Sequence, residues 1–186
     1  MIKIIQVGNP ILRDNAKDVP LDEISSIKIK KILDKMSKVL DEEKDGIALA
    51  APQIGAPLRI FIVSDKIFNF KKNDDENTVS ASPAAFSNLI FINPTIIKLS
   101  KNSEKSEEGC LSMYGKYGIV NRAKKMTVRA YDENGKIFER GASGLLAKIF
   151  QHEIDHLNGK LIIDRVGFLQ GLKIKKQLKK IRYGIN

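Results

Sequence analysis

Apolar residues recur with the period of an α-helix in the first quarter of the chain. Between residues 22 and 44 these positions are Ile24, Ile27, Leu33, Met36, Val39 and Leu40, and Lys and Asp fill most of the others. Residues at this spacing share one face of a helix. The pattern predicts an amphipathic helix that packs on a core and ends before Gly46.

Short apolar runs rich in Ile, Val and Phe predict strands in the middle of the chain. They cover residues 58–64, 89–92, 96–99, 119–120 and 126–131. The turn-type residues 132–135 predict a hairpin into a further strand near residues 136–140. Residues 1–20 are short apolar pieces broken by Gly8, Pro10 and Pro20, which indicates an irregular arm or an edge strand.

Helical periodicity returns after the predicted hairpin. It favours a second helix over residues 144–157, with Ser143 as N-cap and Asn158 and Gly159 as the stop, and a third over residues 168–181. The polar, aperiodic stretch 65–88 is interpreted as a surface loop. Short strands around two or three helices predict an α+β fold, with short antiparallel sheets packed around a central helix and one helix near each end.

Composition narrows the class of protein. The 186 residues suit one domain, and 42% of them are hydrophobic, as in ordinary globular proteins. Cys110 is the single cysteine, so no internal disulfide can form and a reducing compartment is expected. The N-terminal residues do not resemble a signal peptide, and no apolar run is long enough to cross a bilayer. We therefore expect a cytoplasmic protein without a membrane partner.

The strongest chemical signal is the string QHEIDHLNG, residues 151–159. His152 and His156 are four residues apart on the second predicted helix, so both imidazoles can reach one metal ion. Glu153 lies beside them and can act as a base without being a ligand. Isolated histidines are more often plain surface or core residues, but both histidines of this chain lie in the motif.

A catalytic zinc-type site usually has three protein ligands and one open position. The downstream position that carries a third His in some metalloproteases is Ile162 here, no Glu follows Glu153, and Asp164 is the acidic alternative. Cys110, in the stretch EEGCLSMYG, is the favoured third ligand, although a lone cysteine is often a small buried apolar residue. Such a set suits zinc, ferrous iron, cobalt or nickel.

This ligand set predicts hydrolysis of an amide or a related acyl bond. A metal ion lowers the pKa of a water molecule that it binds, and it polarises a carbonyl oxygen. Glu153 would take a proton from the water and later give it to the leaving group.

Three separate stretches resemble the peptide deformylase family. They are GIALAAPQ at residues 46–53, EGCLS at 108–112 and QHEIDH at 151–156, in the order and at about the spacing of that family. By this resemblance, Cys110, His152 and His156 are the metal ligands, and the central helix that carries the two histidines is the metal-binding helix. Glu153 is the general acid and base, and Gln53 and the backbone N–H of Leu111 stabilise the oxyanion.

The resemblance also implies the substrate and the metal. The substrate is the N-formyl-methionyl end of a newly made protein, and the products are formate and a free amino terminus. Ferrous iron is the expected native ion, and zinc or nickel can occupy the site. The substrate-binding positions that the motifs and the helix spacing suggest are Gly46, Ile47, Ala48, Glu108, Gly109, Leu145 and Ile149. The spacing alone allows Leu145 and Ile149 to be plain core residues instead.

This chain departs from the family pattern at several positions. Ala48 stands where the motif has glycine, Tyr114 stands where many members have proline, and Lys148 lies one turn before His152 where an apolar residue is expected. We expect Lys148 to extend its charge to the rim of the cleft.

The net charge of +10 is concentrated in part in the C-terminal residues GLKIKKQLKKIRYGIN. We expect a catalytic domain over residues 1–170 and a basic helix or tail over 171–186. This tail is either a docked helix with a solvated basic face or a contact for ribosomal RNA; no DNA partner is expected. Two other interpretations of the chain remain open: a metalloprotease, and a basic ribosome-binding protein whose metal site is structural or lost.

Overall fold

The computed structural model describes residues 3–69 and 88–183, with side chains over 3–67 and 88–178. The helices of this part are α1 (Ile27–Glu42), α2 (Lys66–Asn69), α3 (Gly144–Leu157) and α4 (Phe168–Tyr183). The strands are β1 (Ala48–Ala50), β2 (Ile60–Val63), β3 (Leu89–Leu99), β4 (Ser103–Gly109), β5 (Tyr117–Ala123), β6 (Lys125–Tyr131) and β7 (Ile137–Ser143). The expected α+β class is confirmed.

Five antiparallel strands form the main sheet in the order β1-β2-β3-β6-β7. Strand β2 is buried on both faces. Its Phe61 and Val63 belong to the core cluster that contains α3, whereas Ile60 and Ile62 belong to the cluster that contains α1. This arrangement explains why β2 is a continuous apolar run rather than an alternating pattern.

Helix α3 lies at the centre of the molecule. Its buried residues Leu146, Phe150 and Leu157 pack in one cluster with strands of the main sheet. The ring of Phe150 contacts that of Phe91, with centroids 4.7 Å apart, and Phe91 stacks on Phe61 at 4.4 Å. The helix that carries the QHEIDH string is therefore held by large, closely packed side chains.

The two strands β4 and β5 form a separate antiparallel ribbon. It is inserted between β3 and β6, which are neighbours in the main sheet. Its neck is closed by backbone hydrogen bonds from Ser100 N to Lys125 O (2.9 Å) and from Lys124 N to Asn102 O (3.0 Å). Cys110 follows the last residue of β4, so the ribbon delivers it to the site.

The helix predictions hold with adjusted ends. The first predicted helix, 22–44, begins only at Ile27, because Ser26 caps it by accepting a hydrogen bond from Ile29 N, and a short 3₁₀ turn precedes it. The second helix has the predicted bounds, and the third extends to Tyr183. No helix among the described residues is both long and apolar enough to cross a membrane.

The strand predictions were less complete. Residues 89–92 and 96–99 belong to one strand, β3, which continues through Pro94 with a register shift. Asn93 takes a positive φ there, and its side chain satisfies the backbone N–H and C=O of Val19. Strands β1 and β4 were not predicted. Of the predicted loop 65–88, residues 66–69 form α2, and residues 70–87 lie outside the described part.

The N-terminal arm holds the end of α3. Ala16 N donates to Leu157 O (2.9 Å), and Asn15 forms a β-bridge with Asn158. Gly159, the predicted helix stop, has φ +64°, and a Cβ atom there would meet the carbonyl oxygen of Arg13. Only glycine allows this close approach of arm and helix end.

We predict that Gly159→Ala lowers the free energy of unfolding by more than Gly144→Ala does. Both glycines have positive φ, but a Cβ atom at Gly144 would meet nothing within 4 Å. The control should therefore show only the backbone cost of about 1–2 kcal/mol, and Gly159→Ala should add about 1–3 kcal/mol of overpacking. Chemical denaturation of both variants measures the difference; equal losses would contradict this account of the arm.

Candidate metal centre and active site

A cleft lies between α3, the β4–β5 ribbon and the segment around β1. Its volume is about 490 Å³. The residues that line it on α3 and near β1 are Leu145, Lys148, Ile149, His152, Glu153, Asp45, Ile47, Ala48 and Gln53. The ribbon and the turn after it contribute Ser106, Glu107, Glu108, Gly109, Cys110, Leu111, Met113, Tyr114, Gly115, Lys116 and Tyr117.

Cys110, His152 and His156 come together at the inner end of this cleft. One ligand atom from each lies within 4.8 Å of the others. Cys110 Sγ is 3.2 Å from His156 Nε2. The two histidines extend from successive turns of α3, as their spacing predicts, and the cysteine approaches from the ribbon. A thiol and two imidazoles converging on one point are a donor set that fits a divalent transition metal.

The surroundings favour the thiolate form of Cys110. Burial by itself raises the pKa of the thiol, but the charge of His156 and the hydrogen bonds of both histidines lower this pKa well below its ordinary value. The thiolate is the form that binds metals. The site is therefore electrostatically suited to a cation.

Glu108 fixes the orientation of His152. His152 Nδ1–H donates to Glu108 Oε2 at 3.0 Å, so Nε2 is the ring nitrogen on the side of the metal-ligand set. Burial raises the pKa of Glu108, yet hydrogen bonds from Arg122 and His152 bring it down to about 2. A charged carboxylate behind a ligating histidine selects its tautomer and makes the other nitrogen a better ligand.

Arg122 joins the ribbon to α3. It is 4% exposed. Its Nε and one terminal nitrogen donate to both oxygens of Glu108 (2.8 and 3.0 Å), and the other terminal nitrogen donates to Asp155 at 2.6 Å. Arg165 donates to Asp155 from the other side. Arg122 thus pairs with one carboxylate from β4 and one from α3.

Glu153 is buried beside the three ligand atoms. Burial raises the pKa of its carboxyl to about 7, against the effect of the neighbouring histidines. Among the described residues, nothing hydrogen-bonds to its Oε2 atom. A carboxylate with a pKa near neutrality and an unpaired oxygen at the cleft is suited to exchanging protons with a bound water or substrate.

Gln53 is held rigidly at the other side of the thiol. Its Oε1 accepts from Ala50 N at 2.8 Å, and its Nε2 donates to Ser112 Oγ at 3.1 Å and lies 3.7 Å from Cys110 Sγ. Leu111 follows the cysteine and also lines the cleft. The amide of Gln53 therefore presents a fixed N–H donor beside the metal-ligand set.

Most, but not all, of the other predicted site residues line the cleft. Ile47, Ala48, Glu108, Gly109, Leu145 and Ile149 line the cleft. Gly46 does not, since it packs against Leu40 and Glu43. Asp164, the alternative ligand, instead pairs with Arg13 and accepts from Leu161 N.

Sequence reasoning identified Glu108 but missed Glu104 and Ser106, which lie on the same face of β4. Glu104, Ser106 and Glu108 are less exposed than the residues between them, and the last two line the cleft. The signal was a period of two in a polar stretch, because alternate residues of a strand face the same side.

Comparisons with known proteins agree with this geometry. The family model described as polypeptide deformylase matches residues 1–171. A peptide deformylase of Fusobacterium nucleatum is 37% identical over 180 residues, covering 97% of this chain and 92% of its own. A chloroplastic peptide deformylase 1A of tomato, Solanum lycopersicum, is 38% identical over 168 residues. The matched region covers 89% of this chain, which thus spans only 60% of the length of that plant relative.

Solved structures share the fold. The crystal structure of a plant peptide deformylase superposes with a TM-score of 0.80 at 31% identity, covering 97% of this chain and 88% of that one. The peptide deformylase of Thermotoga maritima gives 0.72 at 34% identity, covering 90% and 98%.

We predict that Glu108→Gln weakens metal binding by about 10–100-fold, because an amide supports the His152 ring less strongly than a carboxylate and leaves Arg122 short of a counter-charge. Competition with a chromogenic chelator for nickel or cobalt measures this affinity. Glu107→Gln is the matched control, since the preceding Glu107 also borders the cleft but is exposed and is not the carboxylate that pairs with Arg122 and His152; it should leave metal affinity unchanged. Equal affinities in the two variants would remove Glu108 from the site.

Proposed function

This chain belongs to the polypeptide deformylase family, hydrolases that remove the N-terminal formyl group from newly made proteins, and we propose that its own cleft carries out this reaction with one divalent metal ion. The observation that carries the proposal is the convergence of Cys110, His152 and His156 beside buried Glu153 in an open cleft. A structural metal site would have four protein ligands, whereas three converge here among the described residues.

Cys110, His152 and His156 would hold the ion, and ferrous iron is the proposed native one, with zinc or nickel able to occupy the same donors. When bound, such an ion supplies a nucleophile at neutral pH, by lowering the pKa of water, and polarises the formyl carbonyl. The low pKa of the Cys110 thiol and the orientation of His152 by Glu108 support this assignment.

Glu153 would move the protons of the reaction. Its Oε2 atom, which has no other partner among the described residues, accepts a proton from the attacking water. The same carboxyl then gives the proton to the amide nitrogen as the C–N bond breaks, so that formate and a free amino terminus result. Because the pKa of Glu153 is about 7, the group can perform both steps near neutral pH.

Gln53 and Leu111 would stabilise the negative charge that develops on the formyl oxygen. The amide of Gln53 is fixed at its Oε1 by Ala50 N–H, so its N–H group is already aimed before substrate binds. A preorganised donor of this kind is a large contribution to catalysis, of about 10²–10³ in rate. The backbone N–H of Leu111 is the second proposed donor.

The cleft would bind the substrate through its first side chain and its backbone. Ile47, Leu145 and Ile149 supply apolar surface for a methionine side chain. Strand β1 is an edge of the main sheet, so the backbone around Ala48 can pair with an extended peptide as an added strand. Gly109 and Glu108 border the opposite side.

We propose that the protein acts in the cytoplasm, where it meets nascent chains. The single cysteine suits a reducing compartment. We further propose a ribosome contact through the basic C-terminal helix. Ile174 docks α4 on a core cluster, whereas Lys173, Lys175 and Lys176 are exposed on its surface. Exposed lysines on one helix can neutralise phosphates of ribosomal RNA.

The first test is formate release from formyl-Met-Ala-Ser by protein loaded anaerobically with ferrous iron, nickel or zinc. We predict turnover in the wild type and a loss of about 10²–10⁴-fold in Glu153→Gln, because the variant lacks the proton acceptor. Metal content should remain at one ion per chain in both proteins. A wild type that binds metal but releases no formate would refute the proposed function, and full activity in Glu153→Gln would refute the role of Glu153.

The ribosome contact is tested separately by replacing Lys173, Lys175 and Lys176 together with Gln. We predict weaker co-sedimentation with ribosomes at low salt. The slope of the logarithm of the binding constant against the logarithm of the salt concentration should also become shallower by about one for each phosphate that the lysines no longer neutralise. The matched control replaces the exposed Lys28, Lys30 and Lys31 of α1, which removes the same charge elsewhere. Equal binding by both triple variants would show that total charge, rather than α4, attracts the ribosome.

A further inference from the structure

A charged pair stands at the wall of the cleft. Lys148 lines the cleft one helical turn before His152, and its Nζ lies 2.8 Å from Glu104 Oε1. The Lys148 side chain is 20% exposed and that of Glu104 is 36% exposed. The lysine is therefore mostly covered, and it lines the cleft together with Leu145 and His152 of the same helix.

The partner carboxylate comes from the ribbon. Glu104 lies on the same face of β4 as Ser106 and Glu108, both of which line the cleft. Its hydrogen bond and its charge interaction with Lys148 lower the pKa of Glu104, which favours the carboxylate form beside the lysine. Lys124 approaches Glu104 only to 3.8 Å, and Lys124 does not line the cleft.

The pair adds little to stability, because partly exposed ion pairs contribute weakly. Its effect on the cleft is larger. A lysine ammonium without a partner would keep its water shell and attract anions, whereas a paired one presents a nearly neutral wall. The methylene chain of Lys148 can then contact an uncharged side chain.

We propose that Lys148, neutralised by Glu104, is a specificity-determining residue for the first side chain of the substrate. It provides apolar surface to an uncharged side chain such as methionine, and the balance between the two charges sets how strongly an acidic side chain is rejected. This inference rests on the proposed deformylase function and adds to it the selectivity of one wall of the cleft.

The test compares kcat/KM for formyl-Glu-Ala-Ser with that for formyl-Met-Ala-Ser in the metal-loaded full-length protein. Glu104→Gln leaves the Lys148 ammonium without its counter-charge, so the ratio of kcat/KM for the formyl-Glu peptide to that for the formyl-Met peptide should rise about tenfold, mainly through KM. Lys148→Met leaves Glu104 unbalanced, so the ratio should fall about tenfold. The double variant should return close to the wild-type ratio, because both charges are gone.

Lys124→Met is the matched control, since it removes the other lysine near Glu104 from outside the cleft; its ratio should equal that of the wild type. If the pair had a purely structural role, kcat/KM would fall equally for both substrates and their ratio would stay the same in every variant, which would overturn the inference. Because the two single variants should change the ratio in opposite directions, either variant alone can test the inference if the other does not fold. Absence of formate release from formyl-Met-Ala-Ser by the wild type would instead count against the proposed function itself.

Discussion

The contact of Arg122 with Glu108 and Asp155 is the constraint on which the site depends. Cys110 lies at the end of the ribbon and the two histidines lie on α3, yet the ribbon shares no strand pairing with the main sheet among the described residues. Side chains must hold the two parts in register. Buried ion pairs repay their desolvation only when geometry and hydrogen bonding are complete. Arg122 meets this condition by using Nε and both terminal nitrogens, and Gln151 adds two hydrogen bonds to the backbone of Ala123.

This network also separates the roles of two neighbouring carboxyl groups. Asp155 and Glu153 are both buried and lie two residues apart on α3. Although burial raises the pKa of Asp155, the hydrogen bond from Arg165 and the charge of Arg122 lower it below the ordinary value, so the carboxylate form is favoured. Glu153 has no such partner, and its pKa rises to about 7. The arginines thus leave one carboxyl free to exchange protons while the other only supports the architecture.

Much of the fold and the ligand set could be predicted because they follow local rules. The period of α3 placed His152 and His156 on one face, and the lack of a downstream ligand pointed to Cys110. The sequence did not reveal β4, because its inner face is polar: its partners, Lys148, His152 and Arg122, are distant in sequence, and their pairing replaces the apolar alternation that identifies a half-buried strand. The sequence likewise predicted two strands where the structure has one, β3, because the residues between them lack the apolar pattern and Asn93 instead bonds the backbone of the N-terminal arm.

The closed neck of the ribbon makes it an exchangeable module. The hydrogen bonds at Ser100 and Lys124 fix where the chain leaves and re-enters the sheet, so the pairing of β3 with β6 does not depend on what lies between. Loops whose ends are fixed tolerate changes in length and composition at small entropic cost. Divergence, or deliberate redesign, can therefore vary the exposed residues of the ribbon and alter one side of the cleft, as long as Glu108, Cys110 and Arg122 are kept. The core between the main sheet and the helix that carries the histidines would be inherited unchanged.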